Sequence, residues 1–340
     1  MTLSKPAAKI TLPVAIGAAL ARREAFYRFG LLATAVLPPT LSYPMARWFG
    51  RLRYRGLWHR NEGRRRSLSV GLRVDREQAD TLLDEFFQYW ASEDLDSILY
   101  RILPAQRLAT LIEVRGLENL DAALANGRGA ILYSGHVHGQ YTLLAALGLR
   151  GYRPTMVRLG VEAAFSPLRR RLFLNRCAVL SQKYDCRFIV MFYQRPAHWR
   201  SESKQLTSFD ARAADARNRI TPRSRDLIVQ ALARNEVVVM LIDMPFTRHK
   251  VEVDFLGQTW VCPSGPAEIA RETGAPLLDF YIHRGESWIP QIAEIGPPVA
   301  AADNAAATLQ SCAARLEARI RQHPAGWAGW HVIAESSRGG

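Results

Sequence analysis

Strand-like and helix-like segments alternate along this chain from about residue 113. Short apolar runs predict five strands, at 130–133, 155–159, 187–192, 237–242 and 277–283. Helical patterns lie between or after them, near 139–149, 166–176, 222–234, 264–273 and 303–322. Alternation of this kind favours parallel strand pairing. We therefore predict an α/β fold with a mostly parallel or mixed central sheet flanked by helices.

The part before this pattern is predicted to be helical, which suggests two regions. Residues 1–112 would form a helical N-terminal region that packs on the core and faces a membrane, and residues 113–335 would form the α/β core. Apolar residues at 82–90 lie on one side of a helix that Asp75 or Asp80 could cap. The hydroxyl-proline pairs Thr221-Pro222 and Ser264-Gly-Pro266 predict two further helix starts.

The apolar stretches within residues 10–58 are too short to cross a bilayer. In the second stretch, 29–49, the longest uninterrupted run, 31–37, falls far short of the roughly 20 residues that a crossing helix needs. We predict helices lying on a membrane surface, with several side chains near the headgroups: Arg47, Arg51, Arg53, Arg55, Trp48 and Trp58. Two alternatives are an ordinary helical cap on the core and, for residues 10–21, a secretory signal.

The chain is strongly basic, with 45 Lys and Arg against 31 Asp and Glu and a net charge of +14. This balance favours an anionic partner, such as nucleic acid, an acidic membrane surface or an acidic carrier, although a basic surface can also lack a specific use. Aromatic residues are not interleaved with the basic runs, which disfavours nucleic acid.

The four cysteines show no close pairing, which indicates a reducing compartment. The arginine-rich segment 194–220 is predicted to be a long loop.

A histidine follows the first predicted strand directly. The sequence Ser134-Gly135-His136-Val-His138-Gly139 joins that strand to a helix. Ligands bind at this edge of α/β sheets, and histidine suits proton transfer near neutral pH. Arg158 and Asp243 also fall at strand ends, so a parallel sheet would bring a base, a cation and a carboxylate to one crevice. The plain alternative is a hydrogen-bonded imidazole in a polar turn.

Three chemistries could use this crevice. In acyl transfer, His136 takes a proton from an acceptor hydroxyl or amine that attacks a thioester, while nearby donors hold the oxyanion. In a metal-dependent hydrolase, His136 and His138 would be ligands, with Asp243 as a third. In nucleic-acid binding, the arginines would contact phosphates.

The chain resembles the bacterial lipid A biosynthesis acyltransferases, which are part of the lysophospholipid acyltransferase superfamily. The similarity covers roughly residues 26–335, and its segments are 112–118, 130–136, 157–158, 226–232, 241–243, 263–265, 269–276 and 316–331. The resemblance implies an enzyme that moves an acyl chain from acyl carrier protein or coenzyme A to a hydroxyl or amine. It also implies a peripheral position on the cytoplasmic face of the bacterial inner membrane.

The chain departs from that family at one point of its chemistry. The family pairs its histidine with an acid in a His-x4-Asp/Glu motif, but here Tyr141 stands at the acid's position and Thr142 follows it. Loss of the acid removes control of the imidazole tautomer, an effect of up to about four decades in a comparable His–Asp pair. Asp243 could approach His136 instead, or His138 or Tyr141 could act in a hydrogen-bonded relay. A lone base or a lapsed enzyme that only binds lipid or carrier are further alternatives.

The sequence therefore predicts an acyltransferase without a covalent intermediate. Catalysis is assigned to His136, supported by Asp243 or His138. Substrate binding is assigned to residues of the same crevice: Arg158, Ser134, Gly135, Gly139 and Tyr141. No cofactor or metal is expected beyond the acyl-carrier-protein or coenzyme A thioester. The expected partners are an anionic membrane and a lipid or small-molecule acceptor, with no nucleic acid.

Overall fold

The computed structural model describes residues 29–56, 61–159, 167–191, 223–244, 249–286, 288–300 and 302–331. The secretory-signal alternative at 10–21, Trp58, the predicted Thr221-Pro222 helix start and the loop at 194–220 lie outside these ranges. None of the helices in the described ranges combines the length and apolar character that a bilayer crossing requires.

Within the described residues, the region before residue 112 is mainly helical, as predicted. Residues 29–34 are helical, and four labelled helices follow: α1 (Pro39–Gly56), α2 (Glu62–Leu72), α3 (Arg76–Ile102) and α4 (Ala105–Ala109). Asp75 caps α3 through a capping box with Gln78, which explains where this helix starts. Of the two caps that the sequence offered, Asp75 is thus the one used.

Strands and helices then alternate through the rest of the chain. The strands are β1 (Ile112–Arg115), β2 (Ala130–Ser134), β3 (Pro154–Leu159), β4 (Arg187–Met191), β5 (Val237–Leu241), β6 (Lys250–Phe255), β7 (Gln258–Pro263), β8 (Leu277–Arg284) and β9 (Gln291–Pro298). The helices are α5 (Leu117–Leu124), α6 (Gln140–Leu149), α7 (Pro167–Tyr184), α8 (Arg223–Ala233), α9 (Gly265–Thr273) and α10 (Ala305–Gln322). Two short 3₁₀ turns, Pro324–Gly326 and Ala328–His331, follow α10.

Seven strands form the central sheet in the order β1-β9-β8-β2-β5-β3-β4. All pairings are parallel except β8 with β9, so β1 and β9 run against the other five strands. The predicted α/β class with a mixed central sheet is confirmed. The carboxyl ends of β2, β5, β3 and β4 therefore meet at one edge.

The five predicted strands are present within a residue or two of their expected ends, but four others were missed. Strands β1 and β6 carry charged residues at alternate positions, and β9 ends in Gly-Pro-Pro, so none of these three forms an apolar run. The helix start predicted at Ser264-Gly-Pro266 is confirmed, with Ser264 as the residue before the helix and Pro266 in its first turn, but the Ser264 hydroxyl makes no capping bond. The division at residue 112 stays a prediction.

The N-terminal helices are tied to the sheet by a buried ion pair. Arg284 of β8 contacts Asp96 of α3 at 2.6 Å, and Tyr43 of α1 donates to the same carboxylate at 2.5 Å. Both side chains of the ion pair are at least 96% buried. This cluster fixes α1 and α3 against the sheet that carries the candidate site.

Candidate active site

The register of β2 and β5 places His136 beside Asp243. Ser134 at the end of β2 pairs with Leu241 at the end of β5. His136 and Asp243 each follow two residues later. Because the two strands are parallel, both side chains emerge from the same edge of the sheet.

Asp243 binds His136 twice. Its Oδ1 lies 2.6 Å from the imidazole Nδ1, and its Oδ2 accepts the His136 backbone N–H at 2.6 Å. An ionised carboxylate only accepts, so Nδ1 carries the proton and Nε2 keeps a free electron pair. The Asp243 side chain is fully buried, whereas that of His136 is 38% exposed. The pair thus has the tautomer and the accessibility of a general base.

The carboxylate and the imidazole shift each other's pKa. Desolvation alone would lower the pKa of His136, but the charge and hydrogen bond of Asp243, with a further contribution from Glu93, raise it above the usual value. Burial alone would raise the pKa of Asp243, but His136 and the Trp327 indole hold it below the usual range. Asp243 is therefore ionised at neutral pH and holds the ring in one orientation.

The turn that carries His136 is clamped by the C-terminal 3₁₀ segment. The Trp327 indole donates to Asp243 Oδ2 at 2.8 Å. The Ala328 N–H donates to the His136 carbonyl at 2.6 Å, and the His138 N–H donates to the Gly326 carbonyl at 2.8 Å. Gly135 makes this packing possible, because a Cβ there would lie 2.8 Å from Asp243 Oδ2.

His138 belongs to a different cluster. Its Nδ1 lies 2.8 Å from Glu93 Oε2, and Arg176 approaches the other oxygen of Glu93 at 3.5 Å. The His138 ring packs at 5.0 Å on Phe86. The geometry therefore places Asp243 beside His136, and His138 joins the turn that carries His136 to α3.

Tyr141 and Thr142, at the place of the family's acid, contact other residues. The Arg176 guanidinium lies 4.9 Å from the centre of the Tyr141 ring, and Phe173 packs against that ring at 6.3 Å. Thr142 shares a hydrogen bond with Tyr100. Both side chains are buried toward α3 and α7.

The other predicted substrate-binding residues surround the turn at different depths. Ser134 is fully buried, and its Oγ has no hydrogen-bond partner in the described part of the chain. Gly139 caps α6 at φ +93°, where a Cβ would meet Gln291. The Arg158 guanidinium lies over Phe173 at 5.1 Å, near enough to Tyr141 to influence its pKa. Their roles in substrate binding stay predictions.

Sequence reasoning missed three residues of this neighbourhood. Glu93 and Arg176 form the cluster around His138, and Trp327 orients Asp243. Each belongs to an element far from His136 in the chain, so no local spacing could reveal the contact. The only signal was the resemblance of the C-terminal segment that contains Trp327.

The arrangement gives the metal-hydrolase alternative no support. His136 and His138 bind different carboxylates, Asp243 and Glu93. Among the described residues, no group of three or more His, Cys, Asp or Glu side chains is placed to hold a metal ion.

Fold and site together define an α/β protein with a histidine–carboxylate dyad at the carboxyl edge of a mixed sheet. Its residues 197–332 match the model of a family described as bacterial lipid A biosynthesis acyltransferase. The predicted resemblance to lipid A acyltransferases is thus confirmed.

Curated relatives point to the same chemistry. A phosphatidylinositol mannoside acyltransferase of Mycobacterium tuberculosis (strain ATCC 25618 / H37Rv) is 29% identical over 248 residues, or 72% of this chain and 66% of the relative. One of Mycolicibacterium smegmatis (strain ATCC 700084 / mc(2)155) is 31% identical over 106 residues, or 30% of this chain and 33% of the relative. The chain covers just under two thirds of the Mycobacterium tuberculosis protein's length.

Proposed function

We propose that this protein is an acyltransferase that moves an acyl chain from a thioester to a hydroxyl or amine. The observation that carries the proposal is the 2.6 Å contact between His136 Nδ1 and Asp243, on a ring that is still 38% exposed. The family match and the names of the relatives support acyl transfer in general. The dyad supplies the carboxylate-supported base that this chemistry needs.

In the proposed mechanism, His136 Nε2 takes the proton of the acceptor as its oxygen or nitrogen attacks the thioester carbonyl. The tetrahedral intermediate collapses, the carbon–sulfur bond breaks, and the imidazolium returns the proton to the leaving thiolate. Asp243 stabilises the transient imidazolium, and no bond to the enzyme forms. Backbone amides of the 134–139 turn are the proposed oxyanion donors.

The donor is proposed to be an acyl-carrier-protein or coenzyme A thioester, and the acceptor a glycosylated membrane phospholipid. The basic charge of the chain suits acidic carriers and anionic lipids alike. The acceptor class follows the relatives, whose name specifies phosphatidylinositol mannoside.

We also propose that α1 docks the protein on the cytoplasmic face of the bacterial inner membrane. Four exposed apolar side chains form a stripe along it at helical spacing: Leu41, Met45, Trp48 and Leu52. Phe29, Leu32 and Val36 extend the exposed apolar surface toward the N-terminus. We call these seven residues the apolar stripe; an amphipathic helix of this type lies in the interface plane of a bilayer.

Not all of the predicted headgroup arginines suit this role. Arg47 lies over the Trp288 ring at 4.3 Å and Arg53 over Trp90 at 4.4 Å, so both turn toward the protein. Arg51 pairs with Asp84 of α3 at 3.3 Å, whereas Arg55 is exposed on the same helix. Arg55 is therefore the arginine that we assign to anionic headgroups.

The test is a transfer assay with purified protein, acyl-carrier and coenzyme A thioesters, and phosphatidylinositol mannosides among the acceptors. His136→Ala should abolish product, whereas His249→Ala, at an exposed histidine outside the site, should leave it unchanged. Equal product from wild type and His136→Ala would eliminate the base assignment. Tight acyl-chain binding without turnover would instead identify a lapsed enzyme.

A further inference from the structure

Two arginines of the N-terminal helices lie on an aromatic floor next to the catalytic turn. The Arg64 guanidinium is 5.6 Å from the centre of the Phe86 ring, and that of Arg53 is 4.4 Å from Trp90. The two rings contact each other edge to face at 6.0 Å. Phe86 also packs on the ring of His138, two residues beyond the base. We call Arg53 and Arg64 the arginine pair.

Among the described residues, Arg64 has no anionic partner. Its Nη1 donates to Asn61 Oδ1 at 3.1 Å, while its buried Nε has no acceptor in the same part of the chain. Among the residues that the structure describes, no carboxylate forms an ion pair with Arg64, and Arg53 has a long contact of 3.8 Å with Asp94. Burial lowers the pKa of Arg64, and the charge of Arg53 lowers it further. A guanidinium in this position is unfavourable unless an anion joins it.

The arginine pair lies on the side of the site formed by α2 and the last 3₁₀ turn. Helix α2, which carries Arg64, packs against residues 328–331. Desolvation lowers the pKa of His331 in that turn, and the charges of Arg64 and His136 both lower it further. The same turn donates the Ala328 N–H to the carbonyl of His136. The charges of Arg64 and His136 are therefore both close enough to His331 to change its pKa, so the two side chains lie near the same turn.

We propose that the arginine pair binds a phosphate group of a substrate and holds it beside His136 during the reaction. The planar guanidinium fork matches phosphate oxygens, and the aromatic floor fixes its plane. The proposal rests on the acyl-transfer function above, and it adds a binding site for part of that reaction's substrates. The phosphate has two possible sources: the phosphodiester of a phospholipid acceptor, and the phosphates of a coenzyme A or phosphopantetheine donor.

Calorimetric titration of the full chain with soluble probes separates the two sources. Inositol 1-phosphate against inositol tests the acceptor, and 4′-phosphopantetheine against pantetheine tests the donor, because within each pair only the phosphate differs. Wild type should prefer the phosphorylated member of one pair. Arg64→Gln should weaken that binding by about tenfold or more, Arg64→Lys should weaken it less, and Arg66→Gln, an exposed arginine of the same helix, should leave it unchanged.

The thermal midpoint gives an independent readout. If Arg64 is held ready for an anion, Arg64→Gln should melt at the same temperature as wild type or higher, because a desolvated cation is removed. A lower melting temperature with unchanged phosphate binding would assign Arg64 a purely structural role and overturn the proposal. Equal affinities of wild type for both members of each probe pair would also overturn it.

These outcomes are separable from failure of the proposed function. His136→Ala should keep the phosphate preference while losing transfer. Acyl transfer without any phosphate preference would refute only phosphate binding by the arginine pair. A phosphate preference without acyl transfer would refute only the proposed acyltransferase function.

Discussion

At the scale of single residues, the site shows how one carboxylate can be supplied from another strand. Tyr141 stands where the family that this chain resembles has its acid, yet His136 still has a buried acidic partner in Asp243. The contact spans 107 residues of sequence and depends on the pairing of two neighbouring parallel strands. Asp243 therefore supplies the carboxylate contact of the His136 ring, while the Tyr141 ring packs on Arg176.

Replacing Asp243 by Asn should lower the transfer rate by roughly 10²- to 10⁴-fold, with a smaller effect on substrate KM. The amide cannot stabilise the imidazolium, and it can hold the ring in the wrong tautomer. Steady-state kinetics of Asp243→Asn against Asp254→Asn, at an exposed aspartate of β6, measures the loss. A rate within threefold of wild type would remove Asp243 from the mechanism.

The pH dependence of kcat/KM should report the protonation of the His136–Asp243 dyad. The base must be unprotonated, so kcat/KM should rise with pH through the pKa of His136, which lies above the ordinary value of 6.5. Asp243→Asn removes the negative charge that raises this pKa, so the midpoint of the residual activity should move to lower pH. A midpoint that does not move would show that another group titrates.

The raised pKa of His136 also makes the stability of the folded protein depend on pH. Because the folded pKa of His136 is raised, its contribution to stability is present below the unfolded value and disappears as pH rises through the folded value. Urea unfolding of wild type and His136→Gln should therefore differ more under mildly acidic than under alkaline conditions. A larger difference under alkaline conditions would contradict the raised pKa of His136.

At the scale of elements, α1 has two faces with different partners. Tyr43 and Arg47 point toward α3 and the sheet, whereas the apolar stripe is exposed. A helix with this division is stabilised by packing on one side and leaves the other available for lipid.

Two charges placed on the apolar stripe, Leu41→Asp with Trp48→Asp, should weaken binding to anionic phospholipid vesicles by at least about tenfold, because each removes an apolar side chain worth roughly 1.5–3 kcal/mol when buried. Vesicle sedimentation measures the effect. Leu227→Asp, at a similarly exposed leucine of α8, is the matched control. If the double variant sediments as wild type does, the membrane does not contact this helix.

At the scale of the whole molecule, most of the α/β pattern was readable from sequence and most of the site's surroundings were not. Apolar runs such as 237–241 identify strands because those strands are buried on both faces of the sheet. The edge at which His136 and Asp243 meet followed from that pattern. Glu93 and Arg176 could not be predicted, because they reach the site from elements whose packing no local spacing encodes. Trp327 was marked only by the resemblance of its segment, which did not reveal its contact with Asp243.

Breaking the buried ion pair that joins the N-terminal helices to the sheet should cost more stability than breaking an exposed ion pair. Asp96→Ala leaves Arg284 buried without its partner and should lower the free energy of unfolding by about 3–5 kcal/mol. Asp84→Ala breaks the exposed pair with Arg51 and should cost no more than about 1 kcal/mol. Chemical denaturation compares the two variants; equal losses would contradict this reading of the fold.

The C-terminal clamp has a consequence for how the molecule matures during synthesis. Trp327 lies 84 residues beyond the aspartate that it orients, and the aspartate lies 107 residues beyond the histidine. A nascent chain on the ribosome can pair β2 with β5, and so bring imidazole to carboxylate, well before the tryptophan has been translated. The turn that carries His136 acquires its final shape only after Trp327 has emerged, so a translation product arrested between Asp243 and Trp327 should be inactive even with β2 and β5 paired.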